Sequence, residues 1–473
     1  MANADWEAVV GLEIHVHLKT RTKMFCRCAL EYGAPENTHT CPVCLAFPGA
    51  LPVPNAKAIE WTIKLGLALG CEIPERAIFS RKNYFYPDLP KGYQISQYDE
   101  PLCVDGRLVV PTVDGDEVVG IERAHLEEDA AKTVHAGGAT GRSVGADYSL
   151  VDFNRGGTPL VEIVSKPDIR SADEALRYLR LLRQTIVELG VSDAEMEKGT
   201  MRADVNVSVR ERGEEGFRPR WEIKNMNSFT FIGRAIDAAV REQARRYESG
   251  EPIEQHTYDY DADLDRLTVH RSKEEAEDYR YFPEPDLVPV EPPRELVERL
   301  RAELPEAPGV RIRRLEPAVG FELAHGLVTT GRDPLYERLL SADALEPRVV
   351  ANAVMNEIAG AGVDPDAVNA SELAKVLAAR DRLPRDVYTR AIEESTSASF
   401  VATAYLEQEA LSNESDLAPI VDRVLEANPK QVETYRGGKE GVLGFLVGQV
   451  MKETQGKADP KTVNRLLREK LRG

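Results

Sequence analysis

Four cysteines near the N-terminus have the spacing of a metal site. Cys26 and Cys28 form a C-x-C pair, and Cys41 and Cys44 form a C-x-x-C pair after a short loop. Four thiolates suit tetrahedral zinc, and thiols this close together favour a metal over disulfides in a reducing compartment. Because thiolates take all four positions, we predict a structural zinc rather than a catalytic one. His39 is interpreted as a non-ligand, and the isolated Cys71 and Cys103 are interpreted as ordinary buried residues.

A second group of candidates alternates along one strand pattern. The segment VVGLEIHVHLKT predicts a strand whose polar face carries Glu13, His15, His17 and Lys19. Such a face is either solvated or able to bind a cation, since imidazoles and carboxylates are metal ligands. Further carboxylates follow in HLEEDAAK and VEIVSKPD: Glu127, Glu128, Asp129 and Glu162. Carboxylate oxygens are the ligands that Mg²⁺ prefers, especially when nucleotide phosphates complete its coordination.

Two polar-rich stretches predict a binding cavity. The first, RKNYFYPDLPKGYQISQ, combines cations, amides and aromatic rings: Lys82, Asn83, Tyr84, Tyr86, Asp88, Lys91, Tyr93, Gln94 and Gln97. These side chains can stack on a base and contact phosphates, or they form a tyrosine-rich turn that packs on the domain. The second stretch comprises the strand patterns MRADVNVSVR and WEIKNMNSF, whose polar faces line a cavity or face solvent: Asp204, Asn206, Ser208, Glu222 and Lys224.

Two kinds of catalytic motif are missing from the sequence. It has no glycine-rich phosphate loop of the Walker or kinase type, so an ATP site would need another design. It also has no serine or cysteine nucleophile with a supporting base. If nitrogen chemistry occurs on this chain, its ammonia comes from elsewhere.

The elements that must position these residues change character along the chain. A length of 473 residues predicts about two to four domains. Strand patterns extend to about residue 293, and helical patterns follow the proline-rich VPVEPP. We therefore predict an α+β protein with a mixed sheet and helix domain over 1–293, a helical domain over 294–408 and a small helical tail domain over 409–473. Within the first domain, Ser171 and Glu174 predict the start of a helix and Gly190 its end.

Charge is distributed unevenly between the body and the C-terminus. The net charge of −19 argues against nucleic-acid binding through the average surface, whereas residues 428–473 contain ten Lys or Arg against five Asp or Glu. In the tail, three glycines recur on one face of a predicted helix, which indicates either a close approach by a partner or tight helix packing. The glycines and the basic residues that follow them are Gly441, Gly444, Gly448, Lys452, Lys457, Lys461 and Arg465. There is no N-terminal signal pattern and no apolar run of roughly 18 residues, so we expect a cytoplasmic protein.

Several long blocks together resemble one family. VVGLEIHVHL, RKNYFYPDLPKGYQISQ, HLEEDAAK, DFNRGGTPLVEIVSKPDIR, WEIKNMNSF, DYRYFPEPDL and the C-terminal GVLGFLVGQVMKETQGKADPKTVNRLL are similar to blocks of the B subunits of aspartyl/glutamyl-tRNA(Asn/Gln) amidotransferases. The resemblance implies a cradle-shaped N-terminal domain with an ATP- and Mg²⁺-dependent kinase site, then a helical domain and a tRNA-binding tail. It also implies a heterotrimer with an amidase (A) subunit, which supplies ammonia, and a small C subunit.

The resemblance also implies roles for individual residues. The residues that fall in the family's metal-binding blocks are Glu13, His15, Glu127, Glu128 and Glu162, with direct ligation by Glu127 or Glu128 left open. Among them we assign the catalytic roles to Glu13, His15 and Glu128. We assign ATP contacts to Lys82, Asn83, Tyr84, Lys91, Gln94, Lys224 and Asn225. The four-cysteine cluster occurs in only some members of the family, so its spacing remains the main support for zinc.

Two rival functions belong to other classes. A zinc-stabilised RNA-binding or scaffolding protein would explain the cysteines and the basic tail but would leave the acidic strand faces without a role. A metal-dependent hydrolase would use Glu13, His15 and His17. ATP-dependent phosphate release stimulated by misacylated tRNA distinguishes the amidotransferase from both, because neither rival predicts it.

Overall fold

A strand with one polar and one apolar face begins the structure, as the alternation in VVGLEIHVHLKT predicts. This computed structural model describes residues 5–137, 146–272, 279–408, 414–454 and 458–472. The chain divides into two compact units, Met1–Arg311 and Ile312–Gly473. The sheets lie in the first unit and helices make up the second, so the predicted α+β fold is confirmed.

The largest sheet has eight strands in the order β12-β11-β10-β9-β1-β8-β5-β4. All neighbours in it pair antiparallel except β10 and β11. A three-stranded sheet has the order β13-β2-β3, and β6 pairs with β7. The strands are β1 Trp6–His17, β2 Ser80–Asn83, β3 Tyr93–Ser96, β4 Cys103–Thr112, β5 Gly115–Glu128, β6 Lys132–Ala136, β7 Tyr148–Asp152, β8 Pro159–Ser165, β9 Met201–Glu211, β10 Trp221–Met226, β11 His256–Asp261, β12 Arg266–Ser272 and β13 Phe282–Pro283.

The apolar side of the large sheet is covered by three helices of the first unit, which are α1 Ala56–Ala68, α2 Ala172–Glu188 and α3 Phe229–Ser249, and α4 Arg294–Ala302 packs on α1. α1 packs on β4 and β5, and α3 packs on β9 and β10. On β1, Leu12, Ile14 and Val16 are buried. Burial of this face contributes about 25 cal/mol per Å² of apolar surface removed from water. The predicted helix at Ser171 is confirmed, because the Ser171 hydroxyl caps α2 by accepting from Glu174 N at 3.1 Å.

The remaining helices extend from the end of the first unit through the second. They are α5 Pro308–Val319, α6 Phe321–Thr329, α7 Asp333–Ala342, α8 Pro347–Asn352, α9 Ala370–Ala378, α10 Arg385–Glu394, α11 Thr403–Leu406, α12 Glu414–Ala427, α13 Pro429–Arg436, α14 Leu443–Glu453 and α15 Pro460–Arg472. Short 3₁₀ segments lie at Pro365–Ala367, Arg380–Arg382 and Glu440–Val442, with a π-helical turn at Ala353–Ile358. Among the described helices, none combines the length and the apolar character needed to cross a membrane.

The C-terminal helices have an apolar core of their own. Buried side chains from α12 to α15, such as Leu417, Leu446 and Leu467, pack together. This core is consistent with a separate tail domain, but the expected boundary at residue 409 and the basic Lys457 lie outside the described residues. The three-domain division therefore stays a proposal beside the observed two units.

Candidate functional site

The polar face of the large sheet collects charged side chains from strands that are distant in sequence. Strand register places His15 of β1 between Glu162 of β8 and Arg202 of β9, and it places Glu162 opposite His125 of β5. His15 Nε2 lies 3.3 Å from Glu162 Oε2 and 3.9 Å from Glu127 Oε1. One ligand atom from each of His15, Glu127 and Glu162 lies within 4.8 Å of the other two. These three residues could therefore hold a divalent cation.

The two carboxyl groups of this first cluster have pKa values that are shifted in opposite directions. Burial and then the charge of Glu162 raise the pKa of Glu127. Burial opposes ionisation of Glu162 as well, but His125, His15 and Lys82 hold the pKa of Glu162 well below its usual range. Burial alone would lower the pKa of His15, yet the bond to Glu162 and the charge of Glu127 raise it. The buried carboxyl of Glu127 thus has too little positive charge around it to favour its ionised form. A bound cation would supply that charge.

A second acidic cluster lies beside the first on the same face. Carboxylate oxygens of Glu13, Asp204 and Glu222 lie within 4.8 Å of one another. Lys224 Nζ bridges Asp204 and Glu222 at 2.6 Å each, and Asn206 Nδ2 donates to Glu13 Oε1 at 3.1 Å. Burial and then the charge of Glu162 raise the pKa of Glu13. This cluster therefore places three carboxyl groups and the ammonium group of Lys224 next to one another.

Glu128 is not part of either acidic cluster among the described residues. Its side chain pairs with Lys91 Nζ at 2.5 Å and accepts from Ile95 N at 3.1 Å. Adjacent residues of a strand face opposite sides, which separates Glu128 from Glu127. A cavity of about 180 Å³ lies between the Lys91–Glu128 pair and the cysteine segment, and its lining includes Lys23 and Cys44.

The predicted ATP contacts occupy several different environments. The Lys82 ammonium lies 4.9 Å from the Tyr279 ring centroid. Burial would lower the pKa of Lys82, but Glu127, Glu162 and the neighbouring tyrosines together raise it. Tyr84 donates to Gln94 Oε1 at 3.4 Å, so these two side chains contact each other. The side-chain amide of Asn83 bonds the backbone, because its Nδ2 donates to Tyr279 O at 3.1 Å and to Arg280 O at 2.8 Å. The backbone N–H of Asn225 donates to Asp204 Oδ1 of the second acidic cluster at 2.8 Å.

His17 belongs to a separate ion-pair network. Its Nε2 lies 2.7 Å from Asp129 Oδ2, and the same buried carboxylate bonds Arg155 at 2.9 Å and Arg202 at 3.2 Å. Burial would raise the pKa of Asp129, but the bond to His17 and the arginine charges hold it far below its usual range. An open groove of about 740 Å³ starts at His17 and continues past Lys132. Arg202, which lies opposite His15 in the strand register, connects this network to the first cluster.

The four cysteines converge as their spacing predicts. One Sγ from each of Cys26, Cys28, Cys41 and Cys44 lies within 4.8 Å of the others. The Cys28–Cys44 and Cys41–Cys44 sulfur distances are 4.0 and 3.9 Å. A tetrahedron with Zn–S bonds of about 2.3 Å has edges of about 3.8 Å, so the sulfurs fit zinc. Among the other candidates, His39 Nε2 lies 3.8 Å from Glu31, and the prediction that the isolated thiols are buried is confirmed for Cys71 and Cys103.

Sequence reasoning missed several residues that complete these sites. Arg202 and His125 lie two positions from Asp204 and Glu127 along their strands, so period-two alternation could have identified both. Ser96 Oγ donates to Glu127 Oε2 at 3.2 Å, and Lys23 lies beside the cysteine cluster. Ser96 and Glu127 are 31 positions apart, and Lys23 bonds Phe153 130 positions away, so neither contact had a local signal.

The glycines of the tail are open rather than packed. A Cβ placed at Gly441, Gly444 or Gly448 would meet no described atom within 4 Å. Close helix packing by the described residues therefore does not explain them. Arg465 pairs with Glu414 and Glu469, so one of the predicted basic residues already has acidic partners.

Comparisons with known proteins agree over nearly the whole chain. The family described as "GatB/GatE catalytic domain" matches residues 8–298, and the "GatB domain" family matches residues 335–471. A relative from Persephonella marina is 44% identical over 99% of this chain and 100% of its own length. Relatives from Carboxydothermus hydrogenoformans and Moorella thermoacetica are each 46% identical, over 99% of this chain and at least 99% of their own length. All three are named as the B subunit of an aspartyl/glutamyl-tRNA(Asn/Gln) amidotransferase.

Proposed function

The chain belongs to the family of B subunits of aspartyl/glutamyl-tRNA(Asn/Gln) amidotransferases, and from that premise we propose an ATP- and Mg²⁺-dependent amidation of misacylated tRNA. Its substrates are Glu-tRNA(Gln), Asp-tRNA(Asn) or both, and its products are the glutaminyl or asparaginyl forms. The observation that supports this proposal most is the alignment of His15, Glu127 and Glu162 beside Glu13, Asp204 and Glu222 on one sheet face.

The reaction needs an activated carboxyl group because a free carboxylate resists attack by ammonia. A side-chain carboxylate oxygen of the aminoacyl group forms a bond to the γ-phosphorus of ATP while the bond to ADP breaks. Ammonia then attacks the acyl carbon, and phosphate leaves as the amide forms. A bound Mg²⁺ would spread the negative charge of phosphoryl transfer.

The residues of the sheet face have distinct tasks in this scheme. His15, Glu127 and Glu162 would hold the cation, because their ligand atoms are close together and Glu127 lacks full charge compensation. Lys82 lies near this cluster and can contact phosphate oxygens. Lys224 neutralises part of the second cluster. Glu128 pairs with Lys91 outside the cluster, so we assign to Glu128 a role through Lys91, a predicted ATP contact, rather than as a ligand beside Glu127.

The reaction also requires partners. We assign the supply of ammonia to an amidase A subunit, with a small C subunit completing a cytoplasmic heterotrimer, because the sequence has no supported glutaminase nucleophile. We assign a structural zinc to the four cysteines and tRNA binding to the helical tail over 409–473. The first domain over 1–293 carries the chemistry, and the helical domain over 294–408 connects it to the tail.

Substitutions in the complete complex test this function. His15→Ala and Glu128→Ala are expected to reduce ATP-dependent amidation by about 10²-fold or more, while tRNA binding and subunit assembly stay nearly unchanged. The matched controls are His135→Ala, in the β6–β7 ribbon, and Glu122→Ala, a 58%-exposed carboxylate on the same strand as Glu128. Phosphate release from ATP is measured with and without misacylated tRNA.

Two results would refute the proposal. Near-normal turnover in both variants would remove the sheet face and the Lys91–Glu128 pair from the reaction. Phosphate release that misacylated tRNA fails to stimulate in the wild-type complex would exclude the kinase step altogether.

A further inference from the structure

A lysine is buried against the cysteine cluster. Lys23 is only 1% exposed, although it is one of the longest charged side chains. Its Nζ donates to Phe153 O at 2.8 Å and lies 3.6 Å from Cys44 Sγ. An ammonium group taken out of water is costly unless a negative charge lies close to it. A carbonyl oxygen supplies only a partial charge, so the compensating anion has to be found elsewhere.

The nearby carboxylates already have other partners. Glu128 and Asp286 line the same cavity as Lys23. Glu128 pairs with Lys91 at 2.5 Å, and Asp286 lies 3.5 Å from Arg81. Within the described ranges no carboxylate lies within 4.0 Å of Lys23 Nζ. The nearest acceptor that can carry a full negative charge is therefore the sulfur of Cys44.

The charge of the cluster depends on what its sulfurs bind. Four thiolates around one Zn²⁺ have a net charge of about −2, whereas four protonated thiols or two disulfides are neutral. A Cys44 thiolate gives the buried ammonium a counter-charge, and four thiolates on one Zn²⁺ give the largest one. The orientation of Lys23 towards Cys44 thus fits a thiolate at this position, which is the form that zinc ligation requires.

We propose that Lys23 is a positioning residue of the zinc centre, which donates a charged hydrogen bond to the Cys44 thiolate and offsets part of the negative charge of the cluster. This inference rests on the zinc site of the proposed function. The backbone supports the same role, because Lys23 N donates to Cys28 O at 3.1 Å and Cys41 N donates to Cys44 Sγ at 3.2 Å. The first bond holds the Lys23 backbone beside the Cys26–Cys28 pair, and the second is a further donor to the Cys44 sulfur.

Lys23 also connects the zinc centre to the loop that precedes β8. Besides the Lys23–Phe153 bond, Met24 N donates to Gly157 O at 2.7 Å. Gly157 has a φ of +86°, and a Cβ there would lie 3.4 Å from the Lys23 side chain and 3.9 Å from Glu128 Oε2. A Cβ at 157 would therefore make only ordinary contacts, and it is the positive φ that favours glycine in this loop.

The test compares Lys23→Met with the wild-type chain in the intact complex. Methionine keeps the length and the apolar stem but removes the ammonium, and Lys19→Met is the control because Lys19 is a surface lysine paired with Asp193. Zinc content is measured first. Lys23→Met is then expected to release zinc to a chelator about 10-fold faster, the usual effect of losing an outer-shell hydrogen bond.

Two further measurements distinguish an electronic role from general destabilisation. Iodoacetamide labelling followed by mass spectrometry should show faster alkylation at Cys44 than at the other three cysteines, because that sulfur loses its donor. In cobalt-substituted protein, the sulfur-to-cobalt charge-transfer band should move to lower energy in Lys23→Met and stay fixed in Lys19→Met. If Lys23→Met does not fold, Lys23→Gln, which retains a neutral donor, should show the same changes to a smaller extent.

The outcomes separate the two claims. A wild-type chain that contains no zinc overturns the zinc assignment of the proposed function. A zinc-loaded wild-type chain whose Lys23 variant matches it in zinc release, Cys44 alkylation and cobalt spectrum overturns the role of Lys23 alone.

Discussion

Replacement of Asp129 by alanine is expected to destabilise the first unit strongly. Asp129 is 6% exposed, and its carboxylate bonds His17, Arg155 and Arg202. Removing one partner from a buried ion pair costs about 3–5 kcal/mol. Arg155 and Arg202 keep 35% and 29% of their side chains exposed, so water partly compensates them. We therefore expect a loss near the lower end, about 3 kcal/mol.

Tryptophan fluorescence during urea unfolding measures this loss in the relevant unit. The three tryptophans are Trp6, Trp61 and Trp221, and all lie within Met1–Arg311. With an m value of about 3 kcal/mol/M, the expected loss lowers the urea midpoint by about 1 M. The control is Asp193→Ala, which removes an exposed pair with Lys19 and is expected to cost less than about 1 kcal/mol.

The pH dependence tests the electrostatic origin of the effect. The pKa of Asp129 is depressed in the folded state, so its stabilisation is present above the unfolded value of about 3.9 and is lost as pH falls towards the folded value. The stability difference between wild type and Asp129→Asn should be largest near neutral pH and shrink below about pH 4. An unchanged midpoint for Asp129→Ala, or a difference that grows in acid, would refute this reasoning.

Two further outcomes are expected. Elemental analysis should find one zinc per chain, Cys41→Ser should lose it, and a zinc-free chain of undiminished stability would contradict the site. Deletion of residues 409–473 should weaken tRNA binding and lower its salt dependence, because fewer phosphate counterions are released, while the partner's glutaminase activity survives. Equal affinity and an equal salt slope in binding titrations would show that the tail is not part of the tRNA site.

Local patterns in the sequence were sufficient for features that depend on near neighbours. The alternation through Glu13 and His15 predicted a two-faced strand, and Ser171 predicted the start of α2. The cysteine spacing predicted a cluster that the structure brings within 4.8 Å. In each case the residues that determine the feature lie within about 20 positions of one another, so a single segment contains the information.

Partners across strands could not be predicted in the same way. His15 meets Glu162 only because β8 lies between β1 and β5, which chain order does not reveal. Burial of Lys23 depends on Phe153, 130 positions away. The separation of Glu127 from Glu128 was accessible in principle, since adjacent residues of a strand face opposite sides. It required knowing that HLEE is the end of a strand rather than the start of a loop.

The apolar face of the sheet determines the chemistry of the polar face. Because side chains alternate with period two, a slip of one residue between β1 and β8 would bring the polar side chains of β1 under the helices and expose Ile14. Burial of Leu12, Ile14 and Val16 makes such a slip costly, since each fully buried aliphatic side chain contributes about 1.5–3 kcal/mol. The register that keeps these three side chains buried is the one that places His15 opposite Glu162. The acidic clusters, costly in themselves as buried like charges, are therefore maintained by hydrophobic burial on the other side of the same strands.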